Sequence, residues 1–358
     1  MKKYRAIVFI GRFQPFHNAH LEIVRRAFEL TDFLILVIGS QQKPVTFKNP
    51  FQNCDLKLGS AYYCEALGDA IKSIDPDSFG ECEEGSGREY VLRFQEDIYG
   101  DPIWCGAVQE QVQEVLGEVR PRSGEIGIIG CHKDESSYYL EMFPQWEIIE
   151  VPVVESLGAT QIRDLYFVED PNMNFLKGVL PEPIYDYLNQ EKSSEWHASI
   201  VRERRFIEKY KSQYASLPWP PVFVTVDAVV FQSGHVLMVR RNSYPGMGLT
   251  ALPGGFLDAD TDTSLEDAMI REVKEETGLK VAPRILRGSI KEVRVFDSIQ
   301  RSTRGRTITH AFNIILPDGE LPRVRGGSDA DRAFWVPFSM LNSADCFEDH
   351  YQIIQSFL

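Results

Sequence analysis

The sequence predicts an α/β chain in two parts, a parallel sheet wound with helices followed by a mixed α+β domain built around one dominant helix. Three observations carry this. In the first half, near-continuous apolar runs alternate with helical patterns, as strands buried on both faces require. In the second half, strand-like segments are joined by a hairpin signal and interrupted by a single highly charged helix. Between the halves, Leu217-Pro-Trp-Pro-Pro221 stops any helix, because proline lacks the N–H and clashes with the preceding turn. At roughly 150 residues per domain, 358 residues suit two domains or three.

Taken in order, Ala6–Ile10 reads as a buried strand, Ala19–Leu30 as a helix and Phe33–Gly39 as a second buried strand. The Gly/Glu-rich stretch from Phe79 to Gly87 reads as an exposed loop insertion. Gln109–Val119 has helical spacing, and Ile126–Cys131 and Trp146–Val151 are further strands. Residues 181–217 are polar and helix-prone, and the charged run Arg202–Lys211 reads as a solvated connecting helix. The expected division is therefore a first domain over 1–190, a helical linker over 191–220 and a second domain over 221–358. In that second domain, Val222–Phe231 and Val236–Arg241 are strands turned by Gln232-Ser-Gly-His235. A helix is expected over Ser264–Thr277, then β-rich segments at Ile285–Phe296, Thr307–Leu316 and Ala333–Val336.

Composition narrows the function classes. A chain 43% hydrophobic and 25% charged is neither disordered nor fibrous. With 52 acidic residues against 38 Lys and Arg, the net charge of -14 argues against a broad nucleic-acid-binding face, which needs cations to displace counterions. Small anions held by a local set of Arg, His and backbone N–H groups stay compatible with it. No window approaches the roughly 18 apolar residues of a membrane helix, and the apolar run behind Met-Lys-Lys is too short for a secretory signal. The six cysteines form no C-x-x-C pair or zinc spacing, so reduced thiols and a cytoplasmic location are expected.

Gly11-Arg-Phe-Gln-Pro-Phe-His17-Asn-Ala-His20 follows the first strand and opens a helix. Ligands of open α/β sheets bind at the carboxyl ends of strands, and free helix N–H groups suit phosphate. His17 and His20, three apart, can share one face of the first turn and neutralise charge that develops on phosphoryl oxygens. A zinc pair would need the four-residue H-E-x-x-H spacing, which is absent. In the second half, Gly254-Gly255 precedes Arg271-Glu-Val-Lys-Glu-Glu-Thr-Gly-Leu279. Glu272, Glu275 and Glu276 stand at i, i+3 and i+4, so three carboxylates share one helix face. They repel one another unless a hard cation such as Mg²⁺, with Mn²⁺ as the alternative, sits among them; on spacing alone a solvated acidic face is an equal reading.

The first motif is similar to the (H/T)xGH signature of the nucleotidyltransferase superfamily, in the form found in archaeal-type nicotinamide mononucleotide adenylyltransferases, with Ala19 where the family has Gly. Leu157-Gly-Ala-Thr-Gln-Ile-Arg163 resembles its second signature, ISxTxxR, with Gly158 in the Ser position. The resemblance implies a Rossmann-like sheet in which Gly11, Arg12, Phe13, His17, His20 and Arg163 serve ATP, with Thr160 assisting and Gly39 on the nucleotide side. It implies a pyridine-side aromatic at Trp104, for which a core position is an equal reading. Asn49-Pro-Phe51 also matches, but the family's following Glu-Arg is absent, leaving Lys57 as the nearby cation.

R-E-V-K-E-E-T-G-L is an uninterrupted match to the second half of the Nudix box. The resemblance implies a Nudix domain that uses Glu272, Glu275 and Glu276 as metal ligands, the last two as catalytic carboxylates, with Arg271 orienting them. The family's upstream Glu is replaced by Thr263, which with Ser264, Leu265 and Glu266 reads as a capping box. Arg304 and Arg306, in Arg301–Phe312, lie in a stretch resembling adenylyltransferase–Nudix fusions and are expected to meet phosphates, a partner subunit or only solvent. Together the halves resemble bifunctional nicotinamide mononucleotide adenylyltransferase/Nudix ADP-ribose pyrophosphatases over nearly the whole chain. That implies ATP, nicotinamide mononucleotide, NAD and ADP-ribose as small-molecule partners, with Mg²⁺ bridging phosphates and no nucleic acid or membrane. A homo-oligomer is common at this size, and no symmetry is readable. Two other readings stand beside this one: a non-catalytic Nudix sensor of ADP-ribose or NAD, and a transferase for a different acceptor such as nicotinate mononucleotide.

Overall fold

The computed structural model describes residues 2–40, 43–51, 61–79, 88–95, 99–118, 125–132, 135–152, 157–327 and 330–358. The chain forms two compact units, one of residues 1–42 with 49–201, the other of 43–48 with 202–358.

The first unit begins with β1 (Tyr4–Gly11), α1 (Asn18–Leu30), β2 (Phe33–Gly39), α2 (Ala61–Lys72) and β3 (Glu89–Gln95). It continues with α3 (Asp101–Glu118), β4 (Glu125–Gly130), β5 (Glu147–Glu150), α4 (Ala159–Tyr166), α5 (Met173–Lys177), α6 (Glu182–Glu191) and the first turns of α7 (Glu195–Ser212). All five strands run parallel, in the order β3-β2-β1-β4-β5. The apolar runs of β1 and β2 are buried on both faces, as expected for central strands. The helix α1 packs through Ile23, Val24, Ala27 and Phe28, whose spacing makes one buried stripe.

The second unit holds the rest of α7 and then β6 (Val222–Gln232), β7 (His235–Arg241), β8 (Thr250–Ala251), β9 (Gly254–Phe256) and α8 (Leu265–Thr277). After these come α9 (Pro283–Gly288), β10 (Ile290–Phe296), β11 (Arg306–Ile315), β12 (Ala330–Pro337) and α10 (His350–Phe357). Its sheet is mixed. The path runs β10-β11-β6-β7-β12, with β8 on β7 and β9 on β6, and β11 pairs with β6 in parallel. Val226, Ala228 and Val230 of β6 pack with Ala268, Met269 and Val273 of α8 in one core. The hairpin after β6 turns through Ser233 and Gly234, both with positive φ, as a two-residue hairpin turn requires.

Several elements differ from expectation. Helix α2 and strand β3 had no counterpart in the sequence reading, α3 starts at Asp101 rather than Gln109, and α10 was not anticipated. The segment expected as β-rich from Ile285 is helical to Gly288, where Pro283 in the first turn favours a helix start. The expected linker over 191–220 contains one helix, α7, which the two units share, and residues 43–48 fold with the second unit. Lys57 and residues 80–87 of the expected loop lie outside the described residues. Cys105 and Cys346 are free thiols, whereas Cys64 is disulfide-bonded, contrary to the expectation of reduced thiols throughout. Among the described residues no helix is long and apolar enough to cross a membrane.

Candidate active sites

In the first unit, the sheet order reverses at β1: β2 and β3 lie on one side, β4 and β5 on the other. Crevices at such switch points, beyond the strands' carboxyl ends, are where α/β sheets take ligands. The turn from Gly11 to His17 leaves β1 at this point. Phe13 adopts φ +52°, a left-handed conformation costly for a bulky residue. It is held by Tyr63 of α2, whose hydroxyl donates to the Phe13 carbonyl and accepts from the Phe16 N–H at 2.7 Å. The Arg163 guanidinium donates Nη1 to the Gln14 carbonyl at 2.6 Å and Nη2 to Thr160 Oγ1 at 3.2 Å.

Arg163 therefore braces the turn. It is buried, and that burial together with the nearby charge of Arg12 pulls it down to about 10. Two cations so placed would both be relieved by an anion. Arg12 also borders the backbone of Gly39 at the end of β2. Both histidines were expected within the first turn of the helix; His17 is instead its N-cap residue and His20 its third residue. The His17 N–H donates to His20 Nδ1 at 3.3 Å, and the rings stack with centroids 3.8 Å apart. Thr160 and Arg163 lie on α4, capped by Gly158, whose N–H donates to Gln161 Oε1 at 3.0 Å. Trp104 lies on α3, half-buried against the core, its ring centroid 5.9 Å from that of Phe143. Tyr63 and Tyr139, which donates to the Ile10 carbonyl at 3.2 Å, are supports that the sequence reading missed, Tyr63 because α2 was not recognised.

In the second unit, α8 presents its carboxylates toward the Gly254-Gly255 strand. A side chain on Gly255 would sit 2.5 Å from Glu272 Oε1, and one on Gly254 would strike the Val226 carbonyl at 2.2 Å, so only glycine admits this approach. The Gly254 N–H donates to Glu276 Oε2 at 3.0 Å. Arg271 Nη1 donates to Glu272 Oε1 at 2.8 Å and to Glu275 Oε2 at 3.1 Å. The same guanidinium is gripped from behind by Asp262, which the sequence reading did not single out; the signal available was an acidic residue beside the vacant family position at Thr263. The helix cap is displaced by one residue from the expected box: Ser264 is the N-cap and accepts from the Asp267 N–H at 3.1 Å, while Thr263 donates to the Asp267 carboxylate.

Burial raises the carboxyls of Glu272 and Glu276, the latter to about 8, even though each has a donor. Among the described residues no three His, Cys, Asp or Glu side chains converge into a ready cation cage. Arg271 draws Glu272 and Glu275 aside, and Gly254 holds Glu276. The donor set nevertheless fits a hard divalent cation: it consists of carboxyl oxygens alone, and the two that burial biases toward the protonated form would be held ionised by a cation among them. In the same unit, Arg304 lies over the rings of Phe256 and Phe347, at 5.0 and 5.9 Å, with a buried Nε that has no partner. Arg241 stacks on Phe347 at 3.9 Å. Arg306 stands 4.0 Å from Asp297 and keeps Nη1 buried and unpaired. These cations, of which the sequence reading had Arg304 and Arg306, leave donors for an anionic ligand.

Comparison with known proteins gives independent matches for both units. A family model described as Cytidylyltransferase-like matches residues 8–55, and one described as NUDIX domain matches residues 221–357. A nicotinamide/nicotinic acid mononucleotide adenylyltransferase of Acinetobacter baylyi is 30% identical over 60% of this chain and 98% of its own length. An ADP-ribose pyrophosphatase of Methanocaldococcus jannaschii is 33% identical over 38% of this chain and 72% of its own. The crystal structure of a bifunctional NMN adenylyltransferase/ADP ribose pyrophosphatase from Francisella tularensis, complexed with AMP and a manganese ion, superposes with a TM-score of 0.85. It is 29% identical and covers 99% of this chain and 98% of that one.

Proposed function

The chain belongs to the family of bifunctional nicotinamide mononucleotide adenylyltransferases and ADP-ribose pyrophosphatases, and from that premise we propose a division of labour between its two units. The first transfers AMP from ATP to nicotinamide mononucleotide, giving NAD and pyrophosphate. The second hydrolyses ADP-ribose to AMP and ribose 5-phosphate. The observation that carries this reading is that one chain contains both a braced His17/His20 turn at a parallel-sheet switch point and an Arg271-tethered carboxylate helix. The functional regions are assigned as 1–190 and 221–358, on either side of α7.

In the transferase unit, the mononucleotide phosphate attacks the α-phosphorus of ATP and pyrophosphate leaves. The protein's work is positioning and charge stabilisation, and no side chain acts as covalent nucleophile. His17, His20 and Arg12 face the phosphates, the positive end of the α1 dipole adds to their field, and Arg163 fixes the turn that presents them. In the hydrolase unit, Glu272, Glu275 and Glu276 would hold a divalent cation, Mg²⁺ by preference, with Mn²⁺ supported by the Francisella complex. When bound, such a cation polarises the diphosphate and lowers the pKa of coordinated water. Arg271 sets the carboxylate positions, and Arg304 and Arg306 receive the substrate's phosphates.

The test is product identification with the purified chain. ATP, nicotinamide mononucleotide and Mg²⁺ should yield NAD, and ADP-ribose with Mg²⁺ should yield AMP. Absence of one product removes that half of the assignment. A second acceptor, nicotinate mononucleotide, is favoured by the name of the Acinetobacter relative, which covers both mononucleotides. Competition between the two acceptors decides between them. The sensor reading is not favoured: all three carboxylates are in place and the Methanocaldococcus relative is a hydrolase by name.

A further inference from the structure

We propose that the side-chain amide of Gln14 reads a bound nucleotide in the transferase unit, pairing in both directions with a planar ligand edge that carries a donor beside an acceptor. This rests on the adenylyltransferase assignment and adds to it a residue that decides specificity. Gln14 is only 2% exposed, and both Nε2 and Oε1 are buried with no hydrogen-bond partner. The backbone around it is engaged: the Phe13 carbonyl by Tyr63, the Gln14 carbonyl by Arg163, the Phe16 N–H by Tyr63, the His17 N–H by His20 and the Asn18 N–H by the Val179 carbonyl. The side-chain amide is the exception.

A buried donor and a buried acceptor left unmade each cost free energy that an apolar side chain of equal size would not. The side chain cannot escape to water cheaply, because its backbone is pinned on both sides. Phe13 is locked at φ +52° by Tyr63, and the Gln14 carbonyl is held by Arg163. A site that keeps unpaired amide groups discriminates strongly in favour of ligands that satisfy them. The turn leaves the carboxyl end of β1, where ligands of this sheet class bind, so the missing partner comes from a substrate.

The chemistry of the partner follows from the amide. It needs one acceptor for Nε2 and one donor for Oε1 in a common plane. A phosphate or a carboxylate supplies only acceptors. A carboxamide supplies both, and so does the amino and ring-nitrogen edge of adenine. Those two edges belong to the two substrates of the proposed reaction, and kinetics separates them.

The experiment compares the full-length chain with Gln14→Met and Gln14→Glu, measuring KM and kcat for both substrates, with Tm and ADP-ribose hydrolysis as folding controls. The Met variant should match or exceed the wild-type Tm and keep its hydrolase activity, while the KM of the substrate that Gln14 reads rises about 10- to 100-fold. If the edge is the pyridine carboxamide, the KM for nicotinamide mononucleotide rises alone and its preference over nicotinate mononucleotide collapses. If the edge is adenine, the KM for ATP rises alone and the preference for ATP over inosine triphosphate collapses. The Glu variant keeps the size and loses the donor, and should shift the same KM should the Met variant fold poorly. Unchanged KM values in folded variants overturn the proposal, as does a parallel loss of kcat, both KM values and Tm, which would mark a structural role. A wild-type chain that forms no dinucleotide from either pyridine acceptor removes the adenylyltransferase assignment and this proposal with it.

Discussion

Asp262 holds Arg271 through two parallel hydrogen bonds, Nε to Oδ1 at 2.9 Å and Nη2 to Oδ2 at 2.8 Å. The planar guanidinium then has Nη1 left for Glu272 and Glu275. This paired geometry fixes direction as well as distance. It also lowers the Asp262 carboxyl, through the bond from Arg271, and raises Arg271 in return. Asp262→Asn should cut ADP-ribose hydrolysis by about 10- to 100-fold, the usual effect of releasing a residue that orients metal ligands. NAD synthesis should not change. Steady-state kinetics on both reactions checks this, and an unaffected hydrolase would mean that Arg271 keeps its place without Asp262.

The two carboxylates proposed as catalytic give a sharper separation. Glu275→Gln and Glu276→Gln should each abolish ADP-ribose cleavage, because the neutral amide weakens cation binding. The transferase rate should stay at the wild-type level. Loss of NAD synthesis in the same variants would show that the two units do not act independently.

Much of this was legible from residue types and spacing. The buried runs of β1 and β2 announce themselves because both faces are apolar, and α8 announces itself through its cap, its apolar stripe and its carboxylates. Strand β3 escaped because it lies at the sheet edge, where Glu89 and Arg93 interrupt the apolar pattern. The Asp262–Arg271 pair escaped for another reason: it joins a loop to a helix residue nine positions on, and no periodicity links them. Tyr63 is similar, since its value lies in reaching a turn 47 residues away in sequence. Spacing reveals the residues proposed to touch substrate along one element; their supports come from contacts that only the fold creates.

Glu276 sets a pH dependence. Its carboxyl is raised from 4.5 to about 8, chiefly by burial. Between those values the folded state keeps a proton that the unfolded chain has released. This contribution to stability is therefore complete below about 4.5 and is lost as pH rises towards 8. Without divalent cations, the stability of the wild type should weaken over this window by up to a few kcal/mol, since each pKa unit corresponds to about 1.4 kcal/mol. Thermal unfolding measured across the window checks this, and Glu276→Gln should flatten the slope. Added Mg²⁺ should restore wild-type stability at the upper end of the window and not that of the variant. Equal slopes for the two proteins without metal would show that Glu276 ionises freely in the fold.

Tyr63 can be tested without disturbing a side chain proposed to meet substrate. Tyr63→Phe removes the hydroxyl that serves both Phe13 and Phe16 while keeping the ring against Phe51 and Tyr187. The buried Phe16 N–H then loses its acceptor, which costs about 1–3 kcal/mol. A looser turn presents His17 and His20 less well, so NAD synthesis should fall at least several-fold while ADP-ribose hydrolysis holds. If the transferase is untouched and only the melting temperature drops, the hydroxyl serves stability alone.

Glu203 closes the second unit by reaching residues far from it in sequence. From α7, only 4% exposed, it accepts from the Phe47 N–H at 2.5 Å and from the Gly246 N–H at 2.8 Å. Phe47 lies in the 43–48 segment, and Gly246 in the loop between β7 and β8, so one carboxylate ties three separate stretches of the unit together. Burial pushes this carboxyl up, and the two backbone donors oppose the rise. Glu203→Gln keeps one acceptor and Glu203→Ala keeps none. Stability should therefore fall in the order wild type, Gln, Ala, with the Ala variant losing about 1–3 kcal/mol for each buried donor it strands. Urea unfolding of the full chain, followed through loss of ADP-ribose hydrolysis, gives the ranking. Gly246 also lies against Phe347, the ring on which Arg241 stacks, so closely that a side chain there would meet that ring at 2.4 Å. Loosening the tie should consequently weaken substrate affinity before it unfolds the unit, raising the KM for ADP-ribose in the Ala variant at temperatures where it remains folded. An Ala variant as stable as wild type would show that the two N–H groups find water instead.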